Sequence, residues 1–139
     1  MVKKTITYND FNKNQRTEDF YFNLSKAELM ELEVSVEGGW LASMERIVSA
    51  QNTPAIMREF KTLILSSYGE KSADGKRFIK SPELSKAFAE TGAYSDMFVE
   101  LFQHPDLAAK FFTGILPAEF QEKFAAAISD EMAVLPAQS

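Results

Sequence analysis

The hydrophobic and polar residues at the start of the chain alternate with a period of two. Residues 5–8 and 19–24 combine this alternation with β-branched and aromatic side chains, and the residues between them are rich in turn formers. Such a pattern is typical of two strands, each with one buried face, joined by a loop. It predicts a β-hairpin over residues 1–24. Because an isolated hairpin is marginally stable in water, we expect it to pack on the rest of the chain or to pair with a second chain.

From residue 25 onward, apolar residues recur at the three- and four-residue intervals of amphipathic helices. Ser25 and Glu28 have the spacing of a capping box, which predicts the start of the first helix. The pair Gly38-Gly39 is expected to end that helix. The later helices are expected to begin at Trp40, Thr53, Ser81, Ser95, His104-Pro105 and residue 118. The last of them is expected to reach residue 133.

These elements predict an α+β fold that is mostly α, with an N-terminal β-hairpin followed by a compact bundle of about six or seven short helices. Residues 70–80 are interpreted as a loop built on the Asp74-Gly75 turn, with Phe78 and Ile79 anchoring it to the core. We expect a single domain over residues 1–135, divided into the hairpin (1–24) and the helical part (25–135). Residues 136–139 are expected to form a flexible tail.

Composition and charge exclude several classes of function. The formal net charge of −5 and the scattered basic residues argue against nucleic acid as a partner, because phosphate binding needs a concentrated basic surface. The chain has no cysteine, which excludes disulfides and thiolate chemistry. It also has no run of about 20 apolar residues for a membrane span, and residues 1–20 lack the apolar core of a signal peptide. We therefore expect a cytosolic protein without a membrane partner.

The candidate chemical groups do not form a recognisable catalytic or metal site. His104 is the only histidine, and it precedes a proline at a predicted helix boundary, where a surface role is favoured over catalysis. Glu31 and Glu33 are two residues apart and diverge on a helix. The Asp74-Gly75 segment lacks the spaced acids of a calcium loop, and Gly38-Gly39 lacks the surroundings of a phosphate loop. We therefore predict a protein that is not an enzyme, with no cofactor and no metal ion.

Aromatic residues supply the candidate binding residues. The sequence has 12 phenylalanines, and most of them must be buried. Phe111 and Phe112 are adjacent, so on a helix they point about 100° apart; one of them can face a second core surface or anchor a partner protein. The predicted protein-binding residues are Phe111, Phe112, Phe120 and Phe124. A basic cluster at Lys71, Lys76, Arg77 and Lys80 is better interpreted as a solvated loop than as an anion site.

Three segments carry a family resemblance: EDFYFNLSKAELMELE (Glu18–Glu33), SYGEKSADGKRFIKS (Ser67–Ser81) and FAETGAYSDMFVELF (Phe88–Phe102). Together they resemble the tail assembly chaperones of long-tailed bacteriophages and prophages of Gram-positive bacteria. The resemblance extends over residues 3–117, and the second segment is its most specific part. The residues after Pro117 are not part of the resemblance.

The resemblance implies a non-enzymatic protein that binds and solubilises the tape-measure protein in the host cytoplasm during tail morphogenesis and is absent from the mature virion. Six methionines can supply adaptable apolar contacts, and the edge strand of the hairpin offers a route to self-association. Two alternatives remain open. The chain could be a structural tail or connector protein of the virion, or a phage protein that binds a host regulator or defence protein.

Overall fold

A computed structural model describes residues 1–124 of the chain, and the side chains of residues 1–122. This part confirms the predicted α+β fold, mostly α, with an N-terminal hairpin followed by helices. Its strands are β1 (Val2–Asn9), β2 (Gln15–Phe22), β3 (Tyr68–Lys71) and β4 (Phe78–Ile79). Its helices are α1 (Lys26–Val34), α2 (Trp40–Ser49), α3 (Thr53–Ser67), α4 (Pro82–Ala89), α5 (Gly92–Gln103), α6 (Pro105–Gly114) and α7 (Ala118–Phe124). The remainder of the predicted last helix and the predicted tail lie outside the described residues.

The strands form one antiparallel sheet in the order β1-β2-β3-β4. In the hairpin, Val2 pairs with Phe22 and Asn9 pairs with Gln15, which places the even-numbered residues of both strands on one face. That face is covered by the helices and buries Ile6, Tyr8 and Phe22. The hairpin therefore has the supporting layer that its marginal intrinsic stability requires.

The short strands β3 and β4 were missed in the sequence, where residues 70–80 were interpreted as a loop. They flank the predicted Asp74-Gly75 turn, in which Gly75 has a φ of +74° and the Asp74 carboxylate accepts from the Ser72 hydroxyl. β3 pairs with β2 through only two residue pairs, Tyr21 with Gly69 and Phe22 with Tyr68. The segment thus extends the sheet instead of lying on the core as a loop.

Local sequence chemistry explains where most helices begin. The capping box of α1 is present as predicted, since Ser25 Oγ accepts from the Glu28 N–H and the Glu28 carboxylate accepts from the Ser25 N–H. Ser81 caps α4, also as predicted. Three boundaries were wrong: Asn52, not Thr53, caps α3; Thr91, not Ser95, caps α5; and α1 ends at Val34, before the Gly38-Gly39 pair.

Aromatic rings from several elements form the centre of the core. Helix α6 lies between the sheet and α3, so the two adjacent rings at its C-terminal end meet different neighbours. The Phe111 ring packs 5.2 Å from that of Phe22 on β2, and the Phe112 ring packs 4.7 Å from that of Phe60 on α3. The 100° between successive helical residues is therefore what allows both rings to be buried.

An ion pair fixes the start of α1 to the segment after β4. The Lys80 ammonium donates to both carboxylate oxygens of Glu28, at 2.8 and 2.7 Å, and to the backbone oxygen of Asn23 at 2.7 Å. Burial raises the pKa of Glu28, but the hydrogen bonds from Lys80 and Ser25 outweigh burial and hold this pKa below its ordinary value of 4.5. The charged form of Glu28 therefore stabilises the fold.

We expect part of the stability to be lost as the pH falls below about 4.5, because a carboxylate with a lowered pKa contributes stability only while it is ionised. Lys80→Met should reduce this loss, since Glu28 then has a more ordinary pKa. The measurement is the free energy of unfolding in urea from pH 7 to about pH 3. Lys61→Met, at an exposed lysine of α3, is the control. Equal pH dependence for Lys80→Met and the wild type would show that the ion pair contributes nothing.

Candidate functional site

Helices α1 and α7 begin next to each other because a backbone hydrogen bond joins the segments that precede them. The Leu24 N–H donates to the Ile115 oxygen at 2.8 Å, two residues before α1 and three before α7. The Lys26 ammonium also forms an ion pair with the Glu119 carboxylate, which connects the first turns of the two helices. These contacts leave a cleft between α1 and α7, with the start of α2 as its third wall.

This cleft is an apolar groove with a volume of about 170 Å³. We call it the α1–α7 groove, and its lining residues are Leu29, Met30, Glu33, Trp40, Leu41, Leu116 and Phe120. Trp40 and Leu116 are buried and form its base, whereas Met30 is 64% exposed at its edge. Val34, one turn after Met30 on α1, is 83% exposed. The groove therefore continues onto an apolar strip of α1 that none of residues 1–122 covers.

The carboxylate of Glu33 fixes the position of α2 relative to α1. The residue before α2 is Gly39, which has no side chain to cap the helix. Glu33 supplies the missing acceptor, because its Oε2 accepts from the Leu41 N–H at 3.1 Å. A negative charge is also favourable at a helix N-terminus. The side chains of Trp40 and Leu41 are thus held in place by a residue that itself lines the groove.

The size and lining of the groove favour apolar side chains over a small-molecule ligand. Small-molecule sites usually enclose about 300–1,000 Å³ and contain several convergent polar groups. The α1–α7 groove is smaller, about the size of a cavity that holds one aromatic ring, and Glu33 is the only charged residue among the described ones that line it. Within residues 1–124, no three histidine, aspartate or glutamate side chains lie together in a way that could hold a metal ion. The arrangement suits the insertion of one or two large apolar side chains from another protein.

The structure places the four predicted protein-binding residues in three different environments. Phe111 and Phe112 are 4% and 1% exposed and belong to the core, so neither ring is available at the surface. Phe120 lines the α1–α7 groove. Phe124 is the last described residue of α7, and its side chain lies outside the described ones. A binding role for these residues stays a prediction, and the geometry favours Phe120.

Sequence reasoning missed Met30, Leu41 and Leu116 as residues of the groove, and Val34 as an exposed apolar residue beside it. A signal was present in α1, where Leu29, Met30, Leu32 and Val34 distribute apolar side chains over more than half of the helix circumference. Such a distribution indicates a helix with more than one apolar contact. Here one side packs on the core through Leu29, and the side with Met30 and Val34 is open.

Comparison with known proteins agrees with the resemblance seen in the sequence. Residues 1–138 match the family described as phage tail assembly chaperone. Neither the curated proteins nor the solved structures give a match. Among the described helices, none has the length and apolar character needed to cross a membrane. Since the family match extends over almost the whole sequence, the chain belongs to the phage tail assembly chaperone family.

Proposed function

We propose that this chaperone binds the tape-measure protein through the α1–α7 groove and keeps it soluble in the host cytoplasm during tail assembly. The observation that carries the proposal is the open apolar surface formed by the groove and by the exposed Met30 and Val34. A chaperone of this kind does no chemistry and leaves before the virion is complete. Membership of the chaperone family supports the role, and the groove supplies a surface for it.

The dimensions of the groove fit a helical partner. Helix α1 has nine residues and is therefore about 13 Å long, which corresponds to between two and three turns of a bound helix. A helix laid along such a groove presents apolar residues at i, i+3 or i+4, and i+7, of which one or two enter the cavity and the others contact the exposed strip of α1. The unbranched, flexible side chain of Met30 can adapt to different inserted side chains. This property suits a protein that must bind successive segments of a long helix.

The test is co-expression of the chain with the tape-measure protein encoded beside it, followed by affinity purification and measurement of the soluble fraction. Met30→Asp places a charge at the edge of the groove and is expected to lower the co-purified tape-measure protein by about tenfold or more. Met57→Asp is the matched control, because Met57 is an exposed methionine of α3 that lies outside the groove. It should leave co-purification unchanged.

Equal loss of co-purified tape-measure protein in both variants would place the binding surface elsewhere. If the wild type does not co-purify with the tape-measure protein, that protein is excluded as the partner.

Mass spectrometry of purified virions decides between the chaperone and a structural tail protein. The proposed role predicts that the chain is absent from the particles. Its presence in stoichiometric amounts would favour the structural alternative.

A further inference from the structure

Most charged residues around the α1–α7 groove are acidic. Five of the seven described residues that line it come from residues 29–45, a segment with four glutamates and no lysine or arginine. Glu33 lies in the groove itself, and Glu45 is one helical turn after the lining residue Leu41. Glu37 is exposed in the turn that joins α1 to α2. Two described cations lie beside this segment in the chain. Lys26 forms an ion pair with Glu119, and the exposed Arg46 points about 100° away from Glu45 on α2.

We infer that the groove selects an amphipathic helix that carries lysine or arginine beside its apolar stripe. This inference rests on the proposed function, since it takes the groove to be the docking site for a partner helix. Apolar residues of that helix fill the cavity above Trp40 and Leu116, and its basic residues lie over Glu37 and Glu45. Charge complementarity of this kind raises the association rate and rejects acidic helices, while the apolar contacts supply most of the affinity.

Basic residues beside the apolar stripe determine which segments of a long helical partner are recognised first. Exposed charge pairs are individually weak, so one basic residue in the partner is not sufficient for selection. Several basic residues that flank one apolar stripe act together, and salt weakens their effect because Glu37 is exposed and Glu45 is only half-buried. Apolar segments flanked by glutamate or aspartate should be poor ligands even when their apolar spacing is the same.

The experiment uses three fluorescein-labelled designed peptides of about 18 residues, a length that allows partial helix formation in water. All three have the same leucine stripe at i, i+3, i+4 and i+7 spacing, with flanking positions filled by lysine, glutamine or glutamate. Fluorescence anisotropy with the full chain gives each Kd. We expect the lysine peptide to bind about tenfold more tightly than the glutamate peptide in about 50 mM salt, and the difference to shrink in about 500 mM salt.

Two double variants separate the groove from the overall negative charge. Glu37→Gln with Glu45→Gln should reduce the preference for the lysine peptide several-fold. Glu70→Gln with Glu83→Gln changes the net charge equally on β3 and α4, which do not line the groove, and should preserve the preference. Equal affinity for all three peptides, or equal loss of preference in both double variants, would overturn the inference.

A second copy of the chain is the competing occupant, because α3 exposes Met57 beside Arg58 and Lys61. Sedimentation velocity of the chain without peptide measures whether it self-associates. Self-association that Met30→Asp abolishes would assign the groove to a second copy and overturn the inference.

The proposed function and the basic-helix inference fail differently. If co-purification of the tape-measure protein depends on Met30 but the chain shows no preference among the peptides, only the basic-helix inference is rejected. If the preference for the lysine peptide depends on Glu37 and Glu45 but the tape-measure protein does not co-purify, only the tape-measure protein is rejected as the partner.

Discussion

Phe112→Ala is expected to destabilise the protein by about 3–5 kcal/mol, the usual range for removing a buried phenylalanine ring. Phe112 is 1% exposed, and its ring contacts those of Phe60 and Phe111 at 4.7 and 5.3 Å. The substitution leaves a cavity between α6 and α3 that neither helix can fill without moving. The measurement is the midpoint and slope of urea unfolding, followed by circular dichroism.

Phe11→Ala is the matched control, because it removes the same ring from a position that is 87% exposed at the tip of the hairpin. It should change the stability by no more than about 0.5 kcal/mol. The pair also tests the earlier prediction that Phe112 binds a partner. A Phe112→Ala variant of wild-type stability that no longer binds the tape-measure protein would contradict the core position of this ring.

The parts of the fold that were predicted from the sequence depend on interactions between residues close together in the chain. The hairpin follows from alternation within each strand, and the Ser25 and Ser81 caps depend on residues only three positions away. The errors at Thr53 and Ser95 arose where two capping residues compete. At α5, Thr91 accepts from the Tyr94 N–H, and the helix therefore begins before Ser95 despite Gly92 at its first position.

The features that escaped sequence analysis depend on residues far apart in the chain. Strands β3 and β4 contain four and two residues, too few for a periodic signal, and they form because Tyr68 and Gly69 meet the end of β2. The α1–α7 groove likewise requires the hydrogen bond from Leu24 to Ile115, between residues 91 positions apart. Phe120 was predicted from the sequence as a protein-binding residue, but no local pattern shows that Met30 and Leu41 lie opposite it.

Gly39→Ala is expected to lower the stability by about 2–4 kcal/mol, because two separate costs arise at one position. Gly39 has φ +95° and ψ 141°, a backbone conformation that residues other than glycine rarely adopt, and this strain costs about 1–3 kcal/mol. A Cβ atom at this position would also collide with the Glu33 carboxylate. Displacing that carboxylate removes the cap of α2, which is worth about 1 kcal/mol.

Gly38→Ala separates the two costs. Gly38 also has a positive φ, +84°, but a Cβ atom there would meet no other atom within 4 Å. We therefore expect strain without loss of the cap, and a smaller decrease in unfolding free energy than for Gly39→Ala. Combining Gly39→Ala with Glu33→Ala completes the test. Since the carboxylate is then already absent, Gly39→Ala should cost about 1 kcal/mol less than it does in the wild type. Strictly additive effects of Gly39→Ala and Glu33→Ala would show that the Glu33 carboxylate does not hold the start of α2.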